Sequence, residues 1–476
     1  MRRKYLSLLL AFAMCFTFIQ PISTYAAEAT TTETAWYLTD LLEGDNYGIY
    51  PLSWYNDGTM EANVTKDTMS VVVDAMFNKV LTIRGAKKLT KTSPVLADDM
   101  TVEEVLKTFY IVVSNLKNYG SVGLEQNKTG AIAYMKDHNI YQGEAALDDI
   151  CTVEVACAYA TRIINYMFNE LDAASKGFLW TVKDSDTTVY LLGSIHIASS
   201  DIYPFSNQLK NLYANADQLV VEVDLFDQQG IADYTALVAY TDGTTLKDHV
   251  SNEVYQEVLA AADKVGVSKD IIVYYKPWFL QSLLLNATMT SGGSDESSDQ
   301  GLSASSGIDM YFMTFNVLKG LPIDEVEGYL KQGQMLDSFS PELQEYLLAS
   351  SLASLNAAAN TEGENSSQAL IKEWLSEWKA GDVVAFTTTY PKDSTVSEEE
   401  FPGTAAEYQE YVKLMAEYTD KMFTQRDKGM ADYIDKLLKN NGDKTYFMVV
   451  GSGHYTGETS VITALEDMGY TVTYAY

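Results

Sequence analysis

Four histidines occur in the 476-residue chain, and two of them stand in matching surroundings. The apolar run Val189-Tyr190-Leu191-Leu192 enters Gly193-Ser194-Ile195-His196, and Tyr446-Phe447-Met448-Val449-Val450 enters Gly451-Ser452-Gly453-His454. Glycine at the head of each turn lets the backbone bend without a Cβ clash. Neutral imidazole is a good ligand for divalent transition metals. A carboxylate, Glu222, closes a third apolar stretch, Leu219-Val220-Val221. Two imidazoles and one carboxylate can hold a single divalent ion with positions left open, and such an ion acidifies water enough to give a nucleophile near neutral pH. Spacing leaves open whether Glu222 would be a ligand or the base that takes the proton from water. The competing explanation is structural: each histidine satisfies backbone groups at its turn, and Glu222 pairs with a basic neighbour.

For these side chains to meet, their strands must be neighbours in one sheet, because residues just past the carboxyl ends of parallel strands share a crevice. The chain from 177 to 476 has the pattern for this. A hairpin turns at Lys183-Asp184-Ser185-Asp186 between apolar runs at 178–182 and 187–192, and further strands are predicted at 218–223, 321–326 and 446–450. Helical segments separate them, which predicts an α/β fold with a mostly parallel sheet flanked by helices. Residues 290–306, rich in Ser, Gly and Asp, read as a flexible surface loop. Ser194 and Ser452 lack the Gly-x-Ser-x-Gly elbow of a serine nucleophile, and the spacing of Gly451, Gly453 and Gly457 is one residue too long for a dinucleotide fingerprint.

The remainder sets compartment and partners. Arg2-Arg3-Lys4, an apolar stretch to Phe18 and Thr24-Tyr25-Ala26 form a bacterial-type signal peptide over 1–26, predicting a secreted or cell-surface protein. Net charge is −32, and loss of the leader's three basic residues takes it to −35, which disfavours nucleic acid and anionic lipid as partners. No second apolar run reaches membrane-span length, so the mature chain is expected to have no transmembrane segment. Cys151 and Cys157 are read as buried thiols. Residues 27–45 are read as a flexible lead-in and 46–172 as a helical domain, with helices near 69–81, 101–116, 131–138 and 153–171. Asp98-Asp99-Met100-Thr101-Val102-Glu103 and Asp148-Asp149-Ile150-Cys151-Thr152-Val153-Glu154 open two of these helices alike. His138 and His249 are read as exposed bystanders, and Asp224 as a carboxylate that could back Glu222.

Taken together, the paired Gly-x-x-His motifs, Val221-Glu222-Val223-Asp224, Pro277-Trp278, Gly307-Ile308-Asp309, Glu327 with Gln332, and Arg426-Asp427 resemble the TraB/GumN family, relatives of the Tiki proteins. The resemblance covers about 177–476. It implies a core like that of ChaN-like and erythromycin-esterase-like proteins and a divalent-metal-dependent, peptidase-like activity, with manganese or cobalt the usual suggestion and zinc an alternative. Carried onto this chain, it implies His196, Glu222 and His454 as metal and catalytic residues, with Glu327 and Arg426 lining the site. Asp427 stands where the family commonly has Asn, a departure expected not to touch the histidine–glutamate triad. The implied substrate is a peptide or small polar molecule; the alternative is a protein that sequesters a peptide, such as a pheromone, without turnover. The amino-terminal half is similar to S-layer homology repeats, which implies contact with cell-wall polymer.

Overall fold

The structure is a computed structural model that describes residues 35–83, 87–88, 94–114, 116–117, 130–290, 301–359, 366–390, 392, 395–440 and 442–476. The leader at 1–26, the first part of the lead-in and the centre of the 290–306 loop lie outside these residues. The chain forms two compact units, one of 27–176 with 200–210, the other of 177–199 with 211–476. The stretch 200–210, assigned from sequence to the α/β domain, is thus held by the helical unit, where Lys210 pairs with Glu43 at 2.9 Å and Ser175 N–H donates to the Pro204 carbonyl.

The helical unit contains α1 (Leu38–Tyr47), α2 (Lys66–Leu81), α3 (Val102–Ser114), α4 (Ala131–Asp137) and α5 (Val153–Glu170). Helix α1 corrects the flexible reading of 27–45 for residues 38–45. Its Leu41 and Tyr47 are buried, and it packs on α5, to which Asp40 is also tied by an ion pair with Arg162 at 2.9 Å. The segments that open α2, α3 and α5 hydrogen-bond in a ring: Val64 N–H to Cys151 O, Cys151 N–H to Met100 O, and Asp99 N–H to Val64 O, each 2.9 Å. Sequence similarity disclosed two of these openings. The third, Asn63-Val64-Thr65-Lys66, lacks the acidic pair and is capped instead by Thr65 and Thr68. Cys151 and Cys157 are free and buried, and burial pushes the Cys151 thiol up to about 12.

The second unit is built on a six-stranded sheet: β1 (Phe178–Lys183), β2 (Thr188–Ser194), β3 (Gln218–Val221), β4 (Ile323–Glu325), β5 (Thr445–Gly451) and β6 (Val472–Tyr474). The order is β4-β3-β5-β2-β1-β6. The first four are mutually parallel, whereas β1 runs antiparallel to both β2 and β6, so the sheet is mixed. The β1–β2 hairpin closes as expected, with Asp184 accepting from the N–H groups of Asp186 and Thr187. Central β5 is buried from Tyr446 to Gly451, which explains its uninterrupted apolar run. Helices flank the sheet, among them α6 (Ile308–Leu318), α7 (Gly328–Asp337), α8 (Ser366–Ala380), α9 (Gln425–Lys439) and α10 (Val461–Asp467). Residues 301–306, expected to be loose, include Ser303, whose backbone pairs with Ala198 through bonds of 3.0 and 2.8 Å.

Candidate functional site

Register brings the two Gly-x-x-His turns together. Ser194 at the end of β2 lies opposite Gly451 at the end of β5, and Val221 of β3 lies opposite Val449. His196, Glu222 and His454 therefore leave adjacent strand ends on one side of the sheet. A Cβ placed on Gly451 would sit 3.3 Å from His196 Nε2, 3.5 Å from Glu222 Oε2 and 3.6 Å from His454 Cδ2. One point is thus surrounded by all three side chains, and it is open only because residue 451 is glycine. The structural explanation of the histidines fails in its specifics, since their Nδ1 atoms face carboxylates rather than backbone.

The carboxylate for His196 comes from α6. Gly307 has no room for a side chain, as a Cβ there would lie 2.3 Å from the His196 carbonyl oxygen. This close approach starts α6 against the turn and delivers Asp309, whose Oδ2 is 2.6 Å from His196 Nδ1 and accepts from Ser194 Oγ at 2.5 Å. Burial works against the imidazolium, but the charge and hydrogen bond of Asp309 outweigh it and raise the His196 pKa. Burial likewise opposes Asp309 ionisation, yet His196 holds its carboxyl below the usual range.

A π-helical turn at Asp420–Thr424 leads into α9, and its first residues, Arg426 and Asp427, are buried. Asp427 Oδ1 is 2.6 Å from His454 Nδ1, and its Oδ2 accepts from Lys392 Nζ at 2.9 Å. The expectation that Asp427 stands clear of the triad is therefore wrong: it positions one of the two histidines. Arg426 donates to Glu222 Oε1 and, from Nε and NH2, to Glu327 at 2.8–3.1 Å. Gln332 of α7 bridges the same two carboxylates at 2.7 and 3.1 Å. Burial disfavours the charge on Glu327, but the guanidinium overrides it and brings the carboxyl to about 2. Glu222 Oε2 accepts the Gly451 N–H at 3.1 Å. The predicted basic neighbour of Glu222 is thus present, and its identity is Arg426.

Sequence reasoning assigned Glu327 and Arg426 to the site lining, and both belong to the cluster. It gave no role to Asp309, Gln332 or Lys392. Asp309 and Gln332 lay in the quoted motifs and could have been weighed as partners; Lys392 had no local signal. Asp224 does not join the cluster: its side chain caps Phe226 N–H, and its own N–H donates to Glu325. His138 is half-buried against Tyr134 and Tyr166 rather than exposed, and His249 is exposed and stacks on Tyr240 at 4.1 Å.

Among the described residues no group of three or more His, Cys, Asp or Glu stands close enough together to hold a metal ion, yet two features of the site are ones that a divalent ion would answer. Nε2 of His196 and Nε2 of His454 are buried and have no hydrogen-bond partner. Such orphaned atoms are costly unless a ligand takes them. The cluster also sets four carboxylates, Glu222, Asp309, Glu327 and Asp427, against two fixed cations, Lys392 and Arg426. With neutral imidazoles that leaves two negative charges in excess, a large burden in a buried site. Lys331, exposed and 3.9 Å from Glu327, adds only a screened charge at the rim.

An α/β unit whose parallel strands present two carboxylate-backed histidines and a glutamate in one crevice defines the class. The TraB/PrgY/gumN family profile matches residues 178–474, and the chain belongs to that family. It is similar, at 27% identity over 177 residues, to the uncharacterized protein YbaP of Escherichia coli (strain K12), covering 36% of this chain and 62% of YbaP. It is 21% identical over 316 residues to Metalloprotease TIKI2 of Xenopus tropicalis, covering 62% of this chain and 59% of that protein. A stretch of 57 residues is 35% identical to the Metalloprotease TIKI homolog of Nematostella vectensis, 12% of each chain. The matches thus span less than two thirds of these relatives. No solved structure matches the chain. No helix among the described residues is long and apolar enough to cross a membrane.

Proposed function

We propose that the protein is an exported divalent-metal-dependent hydrolase, peptidase-like in its chemistry, with His196 and His454 as metal ligands. The observation that carries this reading is the pair of buried, unpartnered Nε2 atoms on two rings that both border the Gly451 cradle, His196 through Nε2 and His454 through Cδ2. The excess negative charge and the metalloprotease names of two relatives support it.

A divalent ion held there supplies Lewis acidity and acidified water. The chain's own residues prepare the rest. Asp309 and Asp427 accept hydrogen bonds from Nδ1–H, so each imidazole keeps a bare Nε2 for a ligand. Arg426 and Gln332 occupy Glu222 Oε1, which leaves Oε2 beside the cradle to ligate or to accept a proton. Glu327 balances Arg426 and so keeps Glu222 from being fully neutralised.

Incubation of peptide substrates with the full chain, with and without manganese, cobalt or zinc, followed by mass spectrometry tests the reading. Metal-dependent cleavage that His196→Ala and His454→Ala abolish is expected. Intact peptide masses under every metal would sink it. One observation favours a second reading, peptide sequestration without turnover: His454 is only 1% exposed and Glu222 4%. Retained peptide with unchanged mass would select that reading. For the amino-terminal unit we propose contact with cell-wall polymer, and loss of cell-wall retention on deleting residues 27–172 tests it.

A further inference from the structure

We propose that Lys392 is the positioning residue for His454. The inference stands on contacts within the site just described and gives one further residue a role in it. Lys392 is far from the histidine in sequence and carries no motif, yet its side chain is 2% exposed, and its two polar contacts go to the carboxylate that backs His454 and to the turn that carries it. Its ammonium donates to Asp427 Oδ2 at 2.9 Å and to the carbonyl of Gly453, the residue before His454, at 3.1 Å. It also lies 5.2 Å from the centre of the Phe423 ring, which itself packs 5.7 Å from the His454 ring.

These contacts form a closed loop of constraints. Asp427 uses one oxygen for His454 Nδ1 and the other for Lys392, so the carboxylate cannot rotate without breaking a charge-assisted bond. The second bond of Lys392 fixes the backbone that carries the ring. Imidazole and backbone are thereby locked to one ammonium, and the ring is held with its Cδ2 edge at the Gly451 cradle. Among the described residues the His196 side has no such lock. There the second donor to the carboxylate is the Ser194 hydroxyl, neutral and part of the same turn. Loss of Lys392 should therefore disturb one histidine and spare the other.

The test uses the full-length, metal-free protein with 15N-labelled histidine, whose four side chains give a sparse long-range 1H–15N spectrum. In the native protein His454 should show a single form with the proton on Nδ1. Lys392→Met should abolish that single form, giving mixed tautomers or a broadened signal. Lys392→Gln, which keeps a neutral donor, should give a smaller change of the same kind. His138, His196 and His249 should stay in place and report an intact fold. If His454 were unchanged in either variant, or if His196 moved as much as His454, the proposal would be overturned. Binding of Mn2+ to the same samples keeps the two readings apart. If the native chain binds no Mn2+, the metal reading fails while the tautomer still judges Lys392; if it binds, Lys392→Met should weaken affinity about 10-fold or more, in the range for removal of a metal site's outer support.

Discussion

The two Gly-x-x-His turns are near copies in sequence and differ in how they are supported. His196 is backed by Asp309, and the Ser194 hydroxyl shares that carboxylate. His454 is backed by Asp427, which a buried lysine also holds. A repeated motif thus specifies where an imidazole sits, while its charge environment is set by residues that arrive from elsewhere. Asp309 comes from the helix after Gly307, and Asp427 from the helix after a π-turn. On the His196 side the counter-charge of the carboxylate is mobile, a proton or a bound cation; on the His454 side it is a fixed ammonium.

Removing either histidine breaks the comparison at its root and carries the largest expected effect. His196→Ala and His454→Ala should each abolish stoichiometric metal binding in equilibrium dialysis and with it any hydrolysis. Next comes Arg426→Met, which leaves Glu222 and Glu327 buried without their shared cation. A loss of about 3–5 kcal/mol in denaturant unfolding is expected, the range for breaking a buried ion pair from one side. Asp309→Asn and Asp427→Asn sharpen the contrast itself. Both should cost about 10–100-fold in metal affinity. Asp427→Asn should destabilise the metal-free fold more, because it alone strands a buried ammonium. Equal unfolding midpoints for the two variants would erase the distinction.

The pH response should also differ by group. The folded-state pKa of His196 is raised, so its contribution to stability is present below the unfolded value near 6.5 and is lost as pH rises through the folded value. The metal-free chain should therefore melt progressively lower above about pH 6.5, and Asp309→Asn should flatten that slope. Glu327 behaves oppositely: its carboxyl is lowered from 4.5 to about 2, so its contribution is present above 4.5 and is lost as pH falls toward 2. Thermal melts across both windows check the two signs. The smallest effect expected is at Trp378, whose indole N–H donates to the Gly193 carbonyl at 2.6 Å. Trp378→Phe should cost about 1–2 kcal/mol, part lost hydrogen bond and part lost volume, without selecting one histidine over the other.

Much of the second unit was legible because parallel strands are buried on both faces and show as apolar runs that end at glycine. That pattern located β2, β3 and β5 and, with them, His196, Glu222 and His454. The antiparallel placement of β6 was not legible, since Val472–Tyr474 is three residues long and only partly buried. Helix α1 was missed because its apolar residues are few. The support of the site was legible only in part. Arg426 and Glu327 are legible only through the family resemblance, and a contact such as Lys392 to Asp427 joins residues 35 apart across a fold that no local periodicity encodes.

A crystal of the full chain soaked in zinc, with an anomalous difference map collected at the metal edge, addresses the shared site most directly. A shared site predicts one peak in the cradle beside Gly451, about 2.0–2.1 Å from Nε2 of both His196 and His454. A map with no peak there, or with the metal bound away from one of the two imidazoles, would contradict it.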